Sequence, residues 1–207
     1  LLKTYDHLFP AANTALPFLL ANQYPDPDGT IQAHKDFLND VVRVDLFGIK
    51  KEGRIEGELE APIGPDIPAL SPGSSYLFET VIRTLKVGHL FTEGTSDSNQ
   101  IWLQVTVSLN GKLMGQSGGL DRRGQVDSDT HFVNAFVIDR EGNRIDRRNA
   151  EDILVPLYNN QIPPGAADVV HYRFDVPKNA EGELVVEAKL KYRKFDTTMM
   201  AFTTGNE

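Results

Sequence analysis

One segment of the chain has the spacing of a nucleophilic site. Gly115-Gln116-Ser117-Gly118-Gly119 matches the G-x-S-x-G pattern, in which a serine on a sharp strand-to-helix turn attacks a carbonyl carbon. That chemistry requires a helix behind the serine, whereas this segment closes a hairpin and continues into the polar residues 120–124. We interpret Ser117 as a strand end and keep a serine hydrolase as an alternative. Because no nucleophile, base and orienting group can be assembled, we predict that the chain is not an enzyme.

Other side chains could bind ions or charged partners. The histidines include no pair at metal-ligand spacing; they are His7, His34, His89, His131 and His171. Carboxylates in one loop could offer oxygens to calcium, or could be solvated turn residues; they are Asp121, Asp127 and Asp129. Arg147 and Arg148 follow Asp146, repeating the pattern of residues 121–123. Such arginines bind carboxylates on a partner, or form local ion pairs in a turn.

Composition excludes several classes of protein. The 207 residues carry 21 Lys and Arg against 29 Asp and Glu, a net charge of −8 that argues against binding nucleic acid or an anionic membrane. No apolar run has the length of a membrane span. The absence of cysteine excludes disulfides, thiolate metal sites and covalent haem attachment within these residues. Because the chain begins at Leu1 rather than Met, we expect it to be part of a longer protein.

The elements that must position these groups are strands. Apolar and polar residues alternate from Val42 to Leu46, from Ile101 to Leu109, from Val170 to Val176 and from Leu184 to Tyr192, which is typical of half-buried strands. Residues 76–87 and 132–138 are also strand-like, and Asn110-Gly111 predicts a two-residue hairpin turn. Four prolines between residues 62 and 73 indicate a loop.

Seven or more strands with one apolar face each must stack in two layers to bury those faces. We therefore predict an all-β fold, an antiparallel β-sandwich of immunoglobulin or fibronectin type, over residues 41–207. Residues 1–40 predict an irregular arm with a short helix, which Thr30 could cap.

The segment from Gly88 to Asn99 is predicted to be the contact surface for a partner. It joins two patterned strands, is polar, and contains His89 and Phe91. Trp102 shares its strand face with the polar residues Gln104, Thr106 and Ser108, so alternation predicts that it is exposed. Exposed aromatic residues anchor interfaces or stack on sugar rings. The alternative is that Phe91 and Trp102 plug the end of the sandwich.

A resemblance to a known family rests on three segments in one order. These are Val87–Leu103, with G-H-x-F-x-x-G before W-L-x-V-x-V, then Asp139–Asn149, then Gln161–Tyr172. Together they resemble a β-domain appended to the haem-binding part of bacterial multihaem c-type cytochromes. Thr92 stands where many relatives carry proline, and the C-x-x-C-H attachment motifs of the family are missing.

The resemblance implies a non-haem, non-catalytic interaction domain of an exported electron-transfer protein. We expect a periplasmic or extracellular location, no cofactor in this fragment and haem c in the parent protein. The expected partner is the haem-binding part of that parent or a redox partner, and neither nucleic acid nor membrane. The predicted partner contacts are His89, Phe91, Trp102, Arg147 and Arg148. A carbohydrate-binding or adhesion module that uses Trp102 is the competing function.

Overall fold

The computed structural model describes residues 10–94 and 97–205. Positions 1–9 of the predicted arm therefore lie outside the described residues. The chain divides into two compact units, with the boundary between Val41 and Val42.

The first unit is helical where it is described. It contains α1 (Ala15–Leu19), a 3₁₀ turn (Ala21–Gln23) and α2 (Pro27–Leu38). The side chain of Asp26 caps α2 by accepting a 2.9 Å hydrogen bond from the Gly29 N–H, and proline occupies the first helical position. The prediction that Thr30 is the cap is wrong. Thr30 lies inside the first turn, where its hydroxyl donates to the Asp26 carbonyl.

In its described residues, the second unit contains ten strands and one terminal helix. The strands are β1 (Val42–Lys51), β2 (Leu59–Glu60), β3 (Ser75–Thr84), β4 (Gln100–Leu109), β5 (Lys112–Ser117), β6 (Ala135–Ile138), β7 (Arg144–Ile145), β8 (Val155–Asn159), β9 (Ala167–Asp175) and β10 (Leu184–Arg193). A 3₁₀ turn covers Ala150–Asp152, and α3 covers Thr197–Thr204.

The strands form three antiparallel sheets. The first has the order β2-β1-β3-β9, the second β10-β4-β5, and the third β7-β6-β8. β4 pairs with its neighbour in sequence, β5, on one side and with the distant β10 on the other, in the register Val105↔Ala188.

The core lies between the first and second sheets. Ile82 of β3 and Val170 of β9 cluster with Leu103 and Val105 of β4, and Val186 of β10 packs against them. Burying these apolar faces against each other stabilises the fold by removing both from water. The prediction of an all-β antiparallel sandwich is confirmed.

The hairpin between β4 and β5 is also confirmed. Asn110 and Gly111 both have positive φ, 49° and 78°, as a primed turn requires. The Asn110 side chain also bonds the connection before β10, where its Nδ2 donates to the Glu181 carbonyl at 2.8 Å.

Sequence patterning did not predict α3. Its apolar residues show no clear helical spacing, and its ends are set by local chemistry. The Asp196 carboxylate accepts a 2.8 Å bond from the Met199 N–H at the N-terminus, and Gly205 adopts a left-handed conformation at the C-terminus.

Candidate docking surface

The loop that contains His89 is fastened to the segment after β8. Phe91 and Ile162 exchange two backbone hydrogen bonds, of 2.9 and 2.8 Å. The Gln161 side chain also donates to the Thr92 carbonyl. These three bonds hold the loop against residues 161–162. Thr95 and Ser96, which belong to the predicted contact loop, lie outside the described residues.

His89 is exposed on this loop and held by one of its two ring nitrogens. Nδ1 lies 2.8 Å from the Leu90 carbonyl oxygen and 3.2 Å from Glu93 Oε2. These acceptors favour the tautomer in which Nδ1 carries the proton. The side chain is 62% exposed. The ring therefore presents Nε2 as an acceptor for a partner's donor or metal.

An apolar strip lies on and just before β8. Its four members, Ile153, Leu154, Val155 and Leu157, are between 42% and 74% exposed. Monomeric proteins rarely expose large apolar side chains in such a run, and an exposed run of this kind indicates an interaction site.

β8 is the edge strand of the third sheet, since β6 is its neighbour on one side and no described strand pairs with the other. Pro156 is compatible with this position because proline cannot donate to a ladder. Tyr158 is partly buried: its ring stacks on Phe136 at 5.3 Å and its hydroxyl donates to the Phe132 carbonyl at 3.0 Å. The other residues of β8 are exposed.

A short stretch of chain connects the apolar strip to the loop that contains His89. Gln161, which bonds the His89 loop, is four residues from Leu157, a span of roughly 14 Å of extended chain at most. We call His89 and the four residues of the strip together the docking surface. Sequence reasoning found His89 but missed the strip. The run Ile153-Leu154-Val155-Pro156-Leu157, apolar around one proline, was the available signal.

Two predicted contact residues serve packing. Phe91 is partly buried and packs against the main core. The prediction that Trp102 is exposed is wrong, because it is only 5% exposed. Trp102 does lie on the strand face opposite Ile101 and Leu103, but Phe132 pairs with it there and its Nε1 donates to the Gly118 carbonyl at 3.0 Å. Alternation identifies the face of a strand and does not reveal which loop covers it.

Arg147 and Arg148 are placed by contacts within the unit. The Arg147 guanidinium lies 5.4 Å from the centre of the Phe202 ring, a cation–π distance. The Arg148 N–H donates to Asp97 Oδ2 at 2.7 Å, and its Nε donates to Ser98 Oγ at 3.0 Å. These bonds connect the end of the contact loop to the turn after β7. A partner contact by either arginine stays a prediction.

The carboxylate that caps α3 lies near the same turn. Burial raises the pKa of Asp196, while the hydrogen bond from the Met199 N–H and the charge of Arg144 oppose the shift. Arg144 Nη2 is 3.9 Å from Asp196 Oδ2, and its guanidinium lies 4.2 Å from the Phe136 ring centre. Arg144 therefore links the third sheet, whose strand β8 carries most of the apolar strip, to the terminal helix.

The remaining candidate groups have local roles. Ser117 ends β5, and the chain after it forms a bridge between Leu120 and Val126 rather than a helix. The Asp121 Oδ1 atom accepts 2.8 Å bonds from the N–H groups of residues 123 and 125, which is turn chemistry. Among residues 10–94 and 97–205, no three His, Asp or Glu side chains are grouped as metal ligands.

The fold defines the class of protein: a β-sandwich with an exposed apolar edge strand and an exposed histidine on a loop. A penta-heme cytochrome c552 from Thermochromatium tepidum has a similar fold, with a TM-score of 0.52 and 15% sequence identity. The likeness covers 83% of this chain and 36% of the cytochrome, so the chain spans about a third of that protein's length. No family model matches the sequence, and no curated protein matches it.

No helix in the described ranges combines the length and the apolar character that crossing a membrane requires.

Proposed function

We propose that this chain is a non-catalytic interaction domain of a multihaem cytochrome-like electron-transfer protein. The observation that carries the proposal is the fold likeness to the penta-heme cytochrome, which includes most of this chain and a minor part of the other. This chain has no cysteine for thioether attachment of haem. Haem c therefore belongs to another part of the parent protein, and this domain packs on that haem-bearing part or on a redox partner.

The docking surface supplies suitable chemistry for such a contact. Leu157 is 74% exposed and Leu154 is 58% exposed, so covering them removes apolar area from water and drives association. His89 adds one directional polar group. Its Nε2 can accept a hydrogen bond from a haem-bearing module, or approach its iron, because Nδ1 is already held by the Leu90 carbonyl.

The proposal includes a location outside the cytoplasm. The location follows from the proposed parent, an exported c-type cytochrome, and the cysteine-free sandwich is compatible with oxidising surroundings. Carbohydrate binding through Trp102 loses its support, since a side chain that is 5% exposed offers no stacking platform. The described geometry after Ser117 likewise gives no support to a serine hydrolase.

The first test is the reading frame from which this chain comes. C-x-x-C-H motifs elsewhere in that frame are expected, and a complete frame without them would contradict the proposal. The second test is binding between the 207-residue chain and the separately produced C-x-x-C-H portion, measured by calorimetry. We expect Leu157→Asp to weaken binding at least about tenfold, a loss of about 1.4 kcal/mol.

Leu113→Asp is the matched control, since Leu113 is 54% exposed on β5 and lies outside the docking surface. It should leave binding unchanged. His89→Ala should weaken binding without changing the free energy of unfolding. If the Leu157 and Leu113 substitutions weaken binding equally, the docking surface is wrongly assigned. Whether the domain belongs to a cytochrome is then decided by the reading frame alone.

A further inference from the structure

A second feature, separate from the docking surface, is an apolar cavity of about 540 Å³ at one end of the sandwich. Leu46, Ile49 and Phe78 of the first sheet line it together with Leu109, Leu184 and Val186 of the second. Ile49 and Phe78 also pack with Leu109, Leu184 and Val186 in a core cluster, so the cavity lies at the margin of this packed region. The volume lies within the range of roughly 300–1,000 Å³ that is typical of small-molecule sites.

The proline-rich loop forms one wall of this cavity, and hydrogen bonds hold the loop in place. The Ile63 N–H donates to the Phe47 carbonyl at 2.8 Å, and the Gly73 N–H donates to the Val176 carbonyl at 3.0 Å. The Ser71 N–H donates to the Tyr76 hydroxyl at 2.8 Å. Prolines at 62, 65, 68 and 72 restrict the backbone further. A wall held in this way is formed before a ligand arrives, which reduces the entropy lost on binding.

The chemistry of the wall limits what can bind. Apart from Glu183, the side chains that line the cavity are uncharged, as far as the described residues extend. No lysine, arginine or histidine lines it to pair with an anionic group. An anion would lose its hydration, find no cation and lie near the Glu183 carboxylate. An uncharged apolar molecule meets none of these costs and removes apolar area of both partners from water.

From the volume, the held loop and the single carboxylate, we infer that this cavity is a binding site for one uncharged, apolar small molecule per chain. Ile67, in the middle of the loop and 81% exposed, also lines the cavity. Its side chain would contact the part of the ligand nearest to solvent. Glu183, also exposed, disfavours ligands with an anionic headgroup.

The test is a titration of the 207-residue chain with N-phenyl-1-naphthylamine, an uncharged fluorophore that brightens in apolar surroundings. We expect saturable binding of one probe per chain, with displacement by 1-decanol. Decanoate at pH 7 should displace the probe at least about tenfold more weakly, because one unfavourable charge interaction of about 1.4 kcal/mol corresponds to that factor. Equal displacement by the two competitors would overturn the inferred selectivity, and non-saturable binding would overturn the site.

Variants localise the binding. Ile67→Asp should weaken probe binding at least about fivefold without loss of folding, because this side chain is largely in solvent. Glu183→Lys should reduce the preference for decanol over decanoate.

Ala180→Phe, which fills the cavity from its buried wall, should abolish binding in a chain that circular dichroism shows to be folded. Leu113→Asp is the control and should bind the probe normally. Unchanged binding in both Ile67→Asp and folded Ala180→Phe would place the probe elsewhere and contradict the inference.

Discussion

His131 Nε2 lies 2.7 Å from Asp168 Oδ2, and this pair connects two sheets. Asp168 belongs to β9 of the first sheet. His131 precedes β6, and its carbonyl accepts a 3.0 Å bond from the Leu103 N–H of β4 in the second sheet. One residue therefore bonds both layers of the sandwich, through its backbone on one side and its imidazole on the other.

This pair predicts a component of acid sensitivity. The hydrogen bond from His131 lowers the pKa of Asp168, with burial opposing the shift and the His131 charge adding to it. A carboxylate with a lowered folded pKa stabilises the fold above its unfolded pKa of about 3.9, and that stability is lost as pH falls through the folded pKa. Asp168→Asn should therefore cost about 1–2 kcal/mol of unfolding free energy at pH 6 and less near pH 3.

Urea unfolding at several pH values measures this difference. Asp66→Asn, a substitution of an exposed loop carboxylate, is the control and should change stability by under about 0.5 kcal/mol at each pH. A cost for Asp168→Asn that stays constant from pH 6 to pH 3 would show that the ionised carboxylate is not what stabilises the fold.

Trp102 should behave as a packing residue. Trp102→Ala empties a site that is 5% exposed and removes the Nε1 bond to Gly118, so we expect a loss of about 3 kcal/mol or more. Trp102→Phe keeps most of the packing and should cost less than half as much. Thermal unfolding followed by circular dichroism checks both values, and an unchanged melting temperature for Trp102→Ala would contradict the burial.

Asn134 should be a costly polar residue to replace. It is fully buried, where Oδ1 accepts a 2.8 Å bond from the Ile101 N–H and Nδ2 donates to Asn99 Oδ1 at 2.8 Å. Asn134→Ala leaves these buried partners unsatisfied, and a loss of about 2–3 kcal/mol in urea unfolding is expected. Asn143→Ala removes an exposed bond to Asp139 and should cost under about 0.5 kcal/mol. Similar losses for both would contradict the assigned role.

The hairpin turn gives a test of backbone conformation alone. Gly111 has φ 78° and open space where a side chain would lie, so Gly111→Ala should destabilise by about 1 kcal/mol through backbone strain. Gly115 on β5 also has open space but no positive φ, which makes Gly115→Ala the matched control. That control should be neutral or slightly stabilising in denaturant unfolding. A larger loss of stability for Gly115→Ala than for Gly111→Ala would contradict the turn geometry.

The strand elements and the sandwich could be predicted from the sequence because alternation is local. Ile101, Leu103 and Val105 must share one face of a strand whatever their partners are, and Asn110-Gly111 selects its turn through its own backbone preferences. The same local argument identified the loop with His89, since a polar loop between two patterned strands must lie outside the core.

The tertiary structure alone decided what covers each face and which distant residues meet. Trp102 is on the outward face that alternation assigns, but Gly118 and Phe132 contact it there and it is buried. His131 and Asp168 are 37 positions apart, and only the register of β9 beside β3 brings the carboxylate to the imidazole. Leu157 is exposed because no described segment packs over its side of β8. The direction of a side chain is a property of its own strand, whereas its burial depends on which other segments of the chain pack against that strand.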